Sequence, residues 1–343
     1  MEKSYPMTGG DGPCSYSKNS SLQHEAAERA KSSLVGGIVE NLDIEHVTSL
    51  NTFAIADFGC STGPNTFIAV DNMIEGIIQK LQRHGYSKLP EFQVFFSDHI
   101  SNDFNALFAN LPTSPRKYFA SGVPGSFHGR LFPRASLNFA YSAFALHWLS
   151  RAPQELGDPS SPAFNRGRIY YPNAPSEVGE AYAAQYAKDM ESFLGARAEE
   201  VVSGGLMLLL IPGRPSEVSL GPFFSLLESC LLDMAAKGLV SEDKIDYFNL
   251  PIYSPSIDEL TTLILNNAHF SIARLDQLPQ MPIIPLPSAK ECRAGFANII
   301  TEHFGSEVID ELFDRYAKKH AEHPVVSAGE GVSSGLFVLL KRN

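Results

Sequence analysis

Segment 54–66, which reads A-I-A-D-F-G-C-S-T-G-P-N-T, has the residue types and spacing that most clearly indicate ligand chemistry. An apolar strand pattern ends there in a turn with Gly59 and Gly63, which can both take a positive φ without a Cβ penalty. Pro64 then has its φ preset for the first turn of a helix. Such a turn lets the backbone approach a nucleotide-like ligand closely. It lacks the G-x-G-x-x-G of dinucleotide folds and the Gly-Lys-Ser/Thr of a phosphate loop, so an ordinary strand-to-helix turn stays open.

A second candidate is Asp98, which follows the apolar stretch 92–96. If this stretch is the neighbouring strand, Asp98 lies at its carboxyl end, where α/β sheets bind ligands. A carboxylate in that place can accept hydrogen bonds from both hydroxyls of a ribose. The alternative is that Asp98 caps a helix, a role for which Asn102 and Asp103 are equally suited.

The elements that must position these residues alternate along the chain. Strand patterns cover 53–58, 92–97, 137–142, 205–211 and 336–340, and helix patterns cover about 22–40, 65–82, 103–110 and 179–201. This alternation predicts an α/β fold with a parallel sheet covered on both faces.

The stretch between the last two strands is too long for a loop and mostly helical in pattern, which indicates a cap over the carboxyl ends of the strands. The chain is thus predicted as one unit, 1–343, with a core of about 22–211 and 325–343 and a helical cap of about 212–324.

Composition narrows the function classes. The net charge of −11 argues against a nucleic-acid surface, which needs clustered Lys and Arg. The four cysteines lie far apart without a C-x-x-C pair, so neither a zinc site nor a disulfide framework is predicted. The amino terminus lacks the apolar region of a signal peptide, and the longest apolar run, 206–212, is too short to span a bilayer. A cytoplasmic protein that does not enter a membrane is therefore expected.

Six motifs in order carry a resemblance to a known family. They are segment 15–20 with Gln23, followed by 56–66, 102–105, 122–127, 147–150 and 248–251. Together they resemble the plant SABATH methyltransferases, from about Met7 to the carboxyl terminus. That family uses S-adenosylmethionine (SAM) to methylate carboxyl groups of small acids, such as salicylic, farnesoic or loganic acid, or ring nitrogens of xanthines. The resemblance implies a Rossmann-like class I methyltransferase sheet with a helical cap and a SAM-dependent carboxyl O-methyltransferase.

The resemblance also implies which residues contact the cofactor. Carried over position by position, these contacts fall on Tyr16, Ser20, Asp57, Cys60, Asn65, Asp98, His99, Ser126 and Phe127. Asp57 can hold the ammonium of the methionine part, Asp98 the ribose, and the turn after Gly125 can close over the adenine. For Phe127 core packing stays open, and Cys60 can equally be a small buried residue that lines the turn.

The implied acceptor positions are Gln23, Phe144, His147 and Trp148. The amide of Gln23 and the indole N–H of Trp148 can donate hydrogen bonds to a carboxylate. An apolar cleft that binds an anion must supply such donors. The alternatives are core packing for Trp148 and simple packing for His147. Thr8 stands where the family often has lysine, and Phe144 stands where several salicylate-type members have tyrosine, so salicylate is not the favoured acceptor. Other cap residues (Phe223, Phe224, Leu227, Ile252, Tyr253 and Phe296) are predicted mostly as cap core.

An ion and a homodimer are further implications of the resemblance. The metal positions fall on Asn165, Asp246, the carbonyl of Phe248, and Asn249, whose oxygens suit Mg²⁺ or Ca²⁺ in a structural or modulatory role. The residues alone would indicate only a turn after a helix at 246–249. No general base is expected, because a carboxylic acid with a pKa of about 4 is already ionised at neutral pH. The rival interpretations are N-methylation of a xanthine and, more remotely, a noncatalytic hormone-binding protein.

Overall fold

The computed structural model describes residues 5–48, 51–113, 116–213, 221–278, 283–322, 325–327 and 335–343. Its strands are β1 (Thr52–Phe58), β2 (Glu91–Asp98), β3 (Tyr118–Pro124), β4 (Leu137–Ala143), β5 (Val201–Ile211), β6 (Phe270–Gln277), β7 (Ile283–Pro285), β8 (Val325–Ser327) and β9 (Leu336–Arg342). Its α-helices are α1 (Ser21–Asn41), α2 (Ile44–Thr48), α3 (Pro64–Arg83), α4 (Phe104–Ala109), α5 (Ser176–Glu200), α6 (Gly221–Ala236), α7 (Glu242–Asp246), α8 (Ile257–Asn267), α9 (Ala289–Phe304) and α10 (Ile309–Glu322). Short 3-10 helices cover Tyr16–Lys18, Gln154–Gly157 and Ser306–Val308.

Seven of the described strands form one sheet in the order β3-β2-β1-β4-β5-β9-β6. β1 pairs in parallel with both β2 and β4, and β3 and β5 continue the parallel pairing outward. The strand order reverses between β1 and β4, so the carboxyl ends of β1, β2 and β4 border the crevice where open α/β sheets bind ligands. Strands β7 and β8 pair separately.

Helices cover both faces of this sheet. On α3, the side chains of Phe67, Val70, Ile74, Ile77 and Leu81 recur at helical spacing, and all five are buried. They share a hydrophobic core with α1 and one face of β1, whereas α5 and the cap helices share a second core with the opposite face of β1. The predicted α/β fold is therefore confirmed.

Two features of the sheet were not predicted. β9 is antiparallel to both β5 and β6, so the expectation of a wholly parallel sheet is wrong at this end. β6 lies within the predicted cap range, and β3 and β6 were both missed as strands. β3 and β6 are the edge strands, each with a single buried residue, and β3 carries Gly122 and Pro124, so neither strand has a continuous apolar pattern.

The division into core and cap stays a prediction, and residues 214–220, 279–282 and 323–324 of the predicted cap lie outside the described residues. Across the described ranges, no helix combines the length and the apolarity that crossing a bilayer requires.

Candidate active site

The turn after β1 uses two residues in the left-handed region, Gly59 (φ +86°) and Ser61 (φ +51°). A Cβ on Gly59 would lie 2.2 Å from the Cβ of Ala145, so only glycine fits there. The N–H of Gly59 donates to the carbonyl oxygen of Ser97 at the end of β2 (2.8 Å). Gly63, which could also take a positive φ, has a φ of −97°, and Ser61 makes the second left-handed bend of the turn.

The start of α3 joins this turn to the segment before α1. Pro64 occupies the first turn of the helix, as predicted. The Thr66 hydroxyl reaches back and donates to Oδ2 of Asp57. The Nδ2 of Asn65 donates to both the carbonyl oxygen and the Oγ of Ser20, each at 3.1 Å. Three predicted cofactor residues therefore lie together around one helix terminus.

Two buried carboxylates lie at the ends of β1 and β2. Burial raises the pKa of Asp57 to about 7; the hydrogen bond from Thr66 opposes this rise and the charge of Asp98 adds to it. Burial also raises the pKa of Asp98, although its Oδ2 accepts the Ser61 N–H (2.7 Å) and its Oδ1 accepts the His99 N–H (2.8 Å). A ligand that brings a positive charge and hydroxyl donors relieves the cost of keeping both groups ionised.

The segment before α1 is attached to several elements around the turn. The Thr8 N–H donates to the carbonyl oxygen of Ala294 on α9 (2.8 Å). The Tyr16 N–H donates in turn to the carbonyl oxygen of Thr8 (2.8 Å). The Gly10 N–H donates to Oδ2 of Asp103 (2.9 Å). Burial and the nearby Asp98 charge raise the pKa of the Tyr16 hydroxyl, which therefore stays protonated at neutral pH.

A cleft with an empty volume of about 450 Å³, its open mouth included, lies between this segment and the ends of β1 and β4. Its lining comprises Tyr16, Gln23, Ala27, Asp57, Gly59, Cys60, Ser61, Gly63, Asn65, Thr66, Tyr141, Ala143 and Phe144. Four predicted cofactor residues and two predicted acceptor residues, Gln23 and Phe144, therefore border one space. The lining does not include the predicted residues Ser20, Asp98, His99, Ser126, Phe127, His147 and Trp148. Cys60 is buried in the turn, where burial raises the pKa of its thiol well above the ordinary value.

The loop after β3 brings Ser126 and Phe127 to the same end of the sheet. The Gly125 N–H donates to the carbonyl oxygen of Asp98 (2.9 Å), and the ring of Phe127 lies 6.3 Å from that of His99. Phe127 is only 6% exposed and its ring packs edge-on against Phe193 at 6.2 Å. Core packing, the open alternative for Phe127, therefore applies at least in part.

The acceptor positions follow the end of β4. Phe144 has a φ of +53° and donates its N–H to the carbonyl oxygen of Leu210 (2.8 Å). His147 accepts the Tyr253 N–H on its carbonyl oxygen (2.9 Å). Burial lowers the pKa of His147 to about 3, so its imidazole is neutral at physiological pH.

Trp148 lies in an aromatic cluster built from distant segments. Its indole is half-buried and packs against Tyr5 (6.5 Å between ring centroids) and Phe296 of α9 (5.5 Å). A backbone bridge pairs Trp148 with Ile252, so the segment around 252 fixes the segment around 148. The ring is therefore not a fully buried core residue.

Comparison with known proteins identifies the family. The model of the family described as SAM dependent carboxyl methyltransferase matches residues 2–343. The chain belongs to this family. It is 43% identical to the loganic acid O-methyltransferase of Catharanthus roseus, over 99% of this chain and 95% of that protein. It is 37% identical to the farnesoic acid carboxyl-O-methyltransferase of Arabidopsis thaliana, with full coverage of both chains.

Two further comparisons bear on the fold and on the acceptor. The solved structure of a loganic acid methyltransferase with SAH, S-adenosylhomocysteine, superposes with a TM-score of 0.91 at 42% identity, over 98% of this chain and 99% of that one. A 3,7-dimethylxanthine N-methyltransferase of Camellia sinensis var. assamica is 37% identical, over 94% of this chain and 90% of that protein. The SABATH resemblance, the class I methyltransferase fold and the use of SAM are thereby confirmed, and the methyltransferase is an enzyme of the carboxyl O-methyltransferase family.

The predicted metal positions of the methyltransferase lie close together. The Nδ2 of Asn165 donates to Oδ1 of Asn249 (2.8 Å), and Oδ1 of Asp246 accepts the Gly167 N–H (2.8 Å). The buried Oδ1 of Asn165 has no hydrogen-bond partner, which fits a cation. In the part of the chain that the structure describes, however, no group of three or more His, Cys, Asp or Glu side chains could hold a metal. The ion at Asn165, Asp246, Phe248 and Asn249 stays a prediction.

The cap residues of the methyltransferase are mostly core, as expected. The buried members are Phe223, Phe224, Leu227, Ile252 and Tyr253. Phe296 is only partly buried, and its ring packs against that of Trp148. It therefore joins the buried rings of Phe223 and Phe224 to the predicted acceptor residue Trp148.

Sequence reasoning missed residues that brace the site. Asn102 is buried and donates from Nδ2 to the carbonyl oxygen of Ser61 (3.1 Å), so it supports the turn, while Asp103 is the cap of α4. Thr66, which bonds Asp57, was likewise not assigned a role. Its position in the first turn of α3, directly above the strand end, is the signal that could have found it.

Proposed function

We propose that this methyltransferase forms the methyl ester of a small, mainly apolar carboxylic acid, such as a terpenoid acid. The observation that carries the proposal is the shared cleft, which both Asp57 of the cofactor set and Gln23 of the acceptor set line. Methyl transfer between two bound molecules needs one space, because the reacting atoms must approach to about 3–3.5 Å. The names of two relatives, a loganic acid and a farnesoic acid methyltransferase, support an acid as the acceptor.

On the cofactor side, SAM supplies a methyl group that its sulfonium centre has already activated. Asp57 accepts hydrogen bonds from the ammonium group of the methionine part, and Asp98 accepts them from the ribose hydroxyls. Both oxygens of Asp98 already accept one backbone N–H each, which fixes the carboxylate before the cofactor arrives. The adenine contacts are His99, Ser126 and Phe127, and the methionine end is lined by Tyr16, Ser20, Cys60 and Asn65.

On the acceptor side, Gln23 and Trp148 donate hydrogen bonds to the carboxylate of the acid. A buried anion needs such donors, because an unpaired charge in an apolar cleft is costly. His147 is neutral at working pH and therefore shapes the pocket without adding charge. Phe144 supplies an apolar wall without a hydroxyl.

The protein accelerates the reaction by orientation and by exclusion of water. The acid is already ionised at neutral pH, so no side chain has to remove a proton. Gln23 and Trp148 hold one carboxylate oxygen in line with the methyl–sulfur bond, and such orientation can supply about 7–11 kcal/mol. The rings around Trp148 keep water out while the opposite charges of the two reactants are neutralised in the transition state.

The test is transfer of labelled methyl from SAM to a panel of acids and xanthines, followed by base treatment of the products. Base-labile label on an apolar acid supports the proposal, and base-stable label on a xanthine contradicts it. Two variants sharpen the result. Gln23→Glu puts a negative charge against the carboxylate and should abolish ester formation, whereas Gln23→Met removes only the donor and should mainly raise the KM of the acid.

Mg²⁺ at the Asn165 and Asp246 positions is a structural ion in this proposal and takes no part in methyl transfer. The unpartnered Oδ1 of Asn165 supports it. Mg²⁺ should then raise the melting temperature of the wild-type protein but not of the Asp246→Asn variant, and chelation should leave the initial rate unchanged. An equal response of both proteins would exclude this site.

The proposal further includes a homodimer that works in the cytoplasm. The four cysteines are free thiols, which persist in a reducing compartment. Light scattering of the purified protein tests whether its mass in solution is that of a dimer. Fractionation of plant cells tests whether the protein is in the cytoplasm.

A further inference from the structure

Helix α5 touches both halves of the site through buried polar side chains. Asp189, Arg197 and Glu200 are all buried, although such residues are seldom buried unless they are paired. Asp189 and Arg197 are eight residues apart, which corresponds to roughly 12 Å along the helix axis. The carbonyl oxygen of Ala198 accepts a bond from Nε of Arg342 (2.8 Å), so the end of α5 is itself attached to β9.

At its carboxyl end, α5 holds residues 125–132, the cofactor loop, which carries the predicted adenine contacts Ser126 and Phe127. The guanidinium of Arg197 donates from Nη1 to the carbonyl oxygen of Phe127 and from Nη2 to that of Gly129, each at 2.8 Å. Its Nε donates to Oε2 of Glu200 (2.7 Å). The other oxygen of Glu200 accepts the N–H groups of Leu131 and Phe132. One ion pair therefore satisfies four backbone polar groups between 127 and 132.

Two turns earlier, α5 holds residues 144–150, the acceptor segment, which carries the predicted acceptor contacts Phe144, His147 and Trp148. Both carboxylate oxygens of Asp189 accept bonds from Ser150, Oδ2 from its N–H (2.9 Å) and Oδ1 from its hydroxyl (2.7 Å). Tyr182 adds a second attachment, because its hydroxyl donates to the carbonyl oxygen of Leu250 (2.9 Å), next to the segment that pairs with Trp148. Ser150 follows Trp148 by two residues, so Asp189 fixes the approach of the indole.

We infer that α5 is a positioning element that sets the separation of methyl donor and acceptor, with the Arg197–Glu200 pair orienting the cofactor loop and Asp189 orienting the acceptor segment. This inference rests on the proposed function, which assigns Phe127 to the cofactor and Trp148 to the acceptor. None of the three α5 residues needs to touch a substrate. Each acts through the backbone that it holds, and a small displacement of either loop lengthens the transfer distance.

The inference predicts that the two ends of α5 control different constants. Arg197→Lys keeps the charge but loses the planar fork, and it should weaken SAH binding by about tenfold or more while the KM of the acid changes by less than about twofold. Asp189→Asn and Ser150→Ala should raise the KM of the acid by about tenfold and leave SAH affinity within about twofold. Calorimetry with SAH and initial rates with the acid measure both constants.

Matched controls lie on the same helix. Glu199 pairs with Arg130 of the cofactor loop from the exposed side (3.0 Å), and Glu191 is exposed. Glu199→Gln and Glu191→Gln should change neither constant, because exposed ion pairs contribute little. Removal of one partner of a buried pair can prevent folding, so the double variant Arg197→Met/Glu200→Gln, which removes both charges, provides a second measurement of the cofactor half.

A merely structural role for α5 predicts different effects of these variants. It would lower the melting temperature and the active fraction of every variant while leaving SAH affinity and the KM of the acid unchanged, and that result would overturn the inference. Variants that shift both constants together would overturn it as well. Phe127→Leu distinguishes failure of the proposed function from failure of the inference about α5. Unchanged SAH affinity in this variant refutes the assigned adenine contact. Weaker SAH binding in Phe127→Leu but not in Arg197→Lys refutes only the role of α5.

Discussion

In the proposed site, the cofactor side around Asp57 and Asp98 and the acceptor side around Trp148 are held in place by different means. On the cofactor side, backbone groups make most of the bonds: the N–H groups of Gly59 and Cys60 bond the carbonyl oxygen of Ser97, and those of Ser61 and His99 bond Asp98. On the acceptor side, a backbone bridge to Ile252 and the bonds from Ser150 to Asp189 hold the segment, but the indole of Trp148 itself packs against rings, those of Tyr5 near the amino terminus and Phe296 on α9.

This difference bears on how each side can change. A turn defined by backbone bonds and steric limits accepts few substitutions, because a changed φ or a new Cβ moves every bond at once. Packed rings from separate segments can be exchanged for others of similar volume at modest cost. Under the proposed function, the rigid side binds the cofactor, and the adaptable side binds the acceptor, which differs by name among the relatives.

The strongest test of this contrast is Gly59→Ala. The new methyl would meet Ala145 at 2.2 Å and the residue would have to keep a φ of +86°, so SAH affinity should fall by at least about 100-fold, or about 2.7 kcal/mol. Gly63→Ala is the control, since Gly63 has a φ of −97° and the nearest atom would lie at an ordinary 3.5 Å. Calorimetry with SAH should show less than about a tenfold loss for Gly63→Ala. Equal losses would show that the turn is not rigid in the way described.

The next test removes a charge from the rigid side. Asp57→Asn should weaken SAH binding by about 10- to 100-fold at about pH 8, because a hydrogen bond to a charged group is lost. Glu75→Gln, an exposed change on α3, should have no effect. Calorimetry at several pH values adds a second criterion: affinity of the wild-type protein should fall as the pH drops below about 7, where unliganded Asp57 takes up a proton, and the Asp57→Asn variant should lack this dependence.

The same carboxyl group links stability to pH with a defined sign. Its pKa is about 7 in the folded protein against an ordinary 3.8, so between these values the folded state keeps a proton that the unfolded state has released. Stability of the free protein therefore falls as the pH rises through this window and levels off above about 7. Asp57→Asn should raise the melting temperature of the free protein above pH 7 and leave it unchanged near pH 3.8. A variant that melts lower at every pH would contradict the assignment.

A third test addresses the adaptable side. Trp148→Phe keeps an aromatic ring but removes the indole N–H, so the KM of the acid should rise by about tenfold with little change in SAH affinity. Trp148→Ala also removes ring contacts with Tyr5 and Phe296, and should lower kcat as well. Steady-state rates with the preferred acid measure both effects. Unchanged KM and kcat in the alanine variant would refute the acceptor role of Trp148.

The same contrast explains what the sequence could reveal. The turn after β1 and the end of β2 are short, contiguous segments, so their residue types alone indicated Gly59, Pro64 and Asp98. The bend at Ser61 was not predictable, because its left-handed φ follows from the bond between its N–H and Asp98, 37 positions away in the chain. For a similar reason, β6 was not predicted as a strand and the direction of β9 was predicted wrongly. The pairing of these two strands depends on the edge of the sheet and not on a local sequence pattern.

The acceptor residues could be assigned from the sequence only through the resemblance to the family. They lie on segments that are distant in sequence, and neither Tyr5 nor Phe296 carries a local signal that separates a pocket wall from core. The burial of Asp189 and Arg197 could not be predicted either, because a charged residue on a long helix is ordinarily solvated and only the fold shows that these two are buried.

The smallest expected effect concerns Phe144, which lines the cleft. Phe144→Tyr keeps the ring and the φ of +53° and adds one hydroxyl, so stability and SAH affinity should change little. Without a partner in the apolar acid, the hydroxyl should lower kcat/KM for that acid only a few-fold. With salicylate it gains a partner in the phenol group, so kcat/KM should rise by about 5- to 10-fold, the gain of one hydrogen bond. Competition between the two acids in a single reaction measures this ratio directly. A ratio that stays constant would show that the acceptor is oriented by the rings around Trp148 and not by the residue at the end of β4.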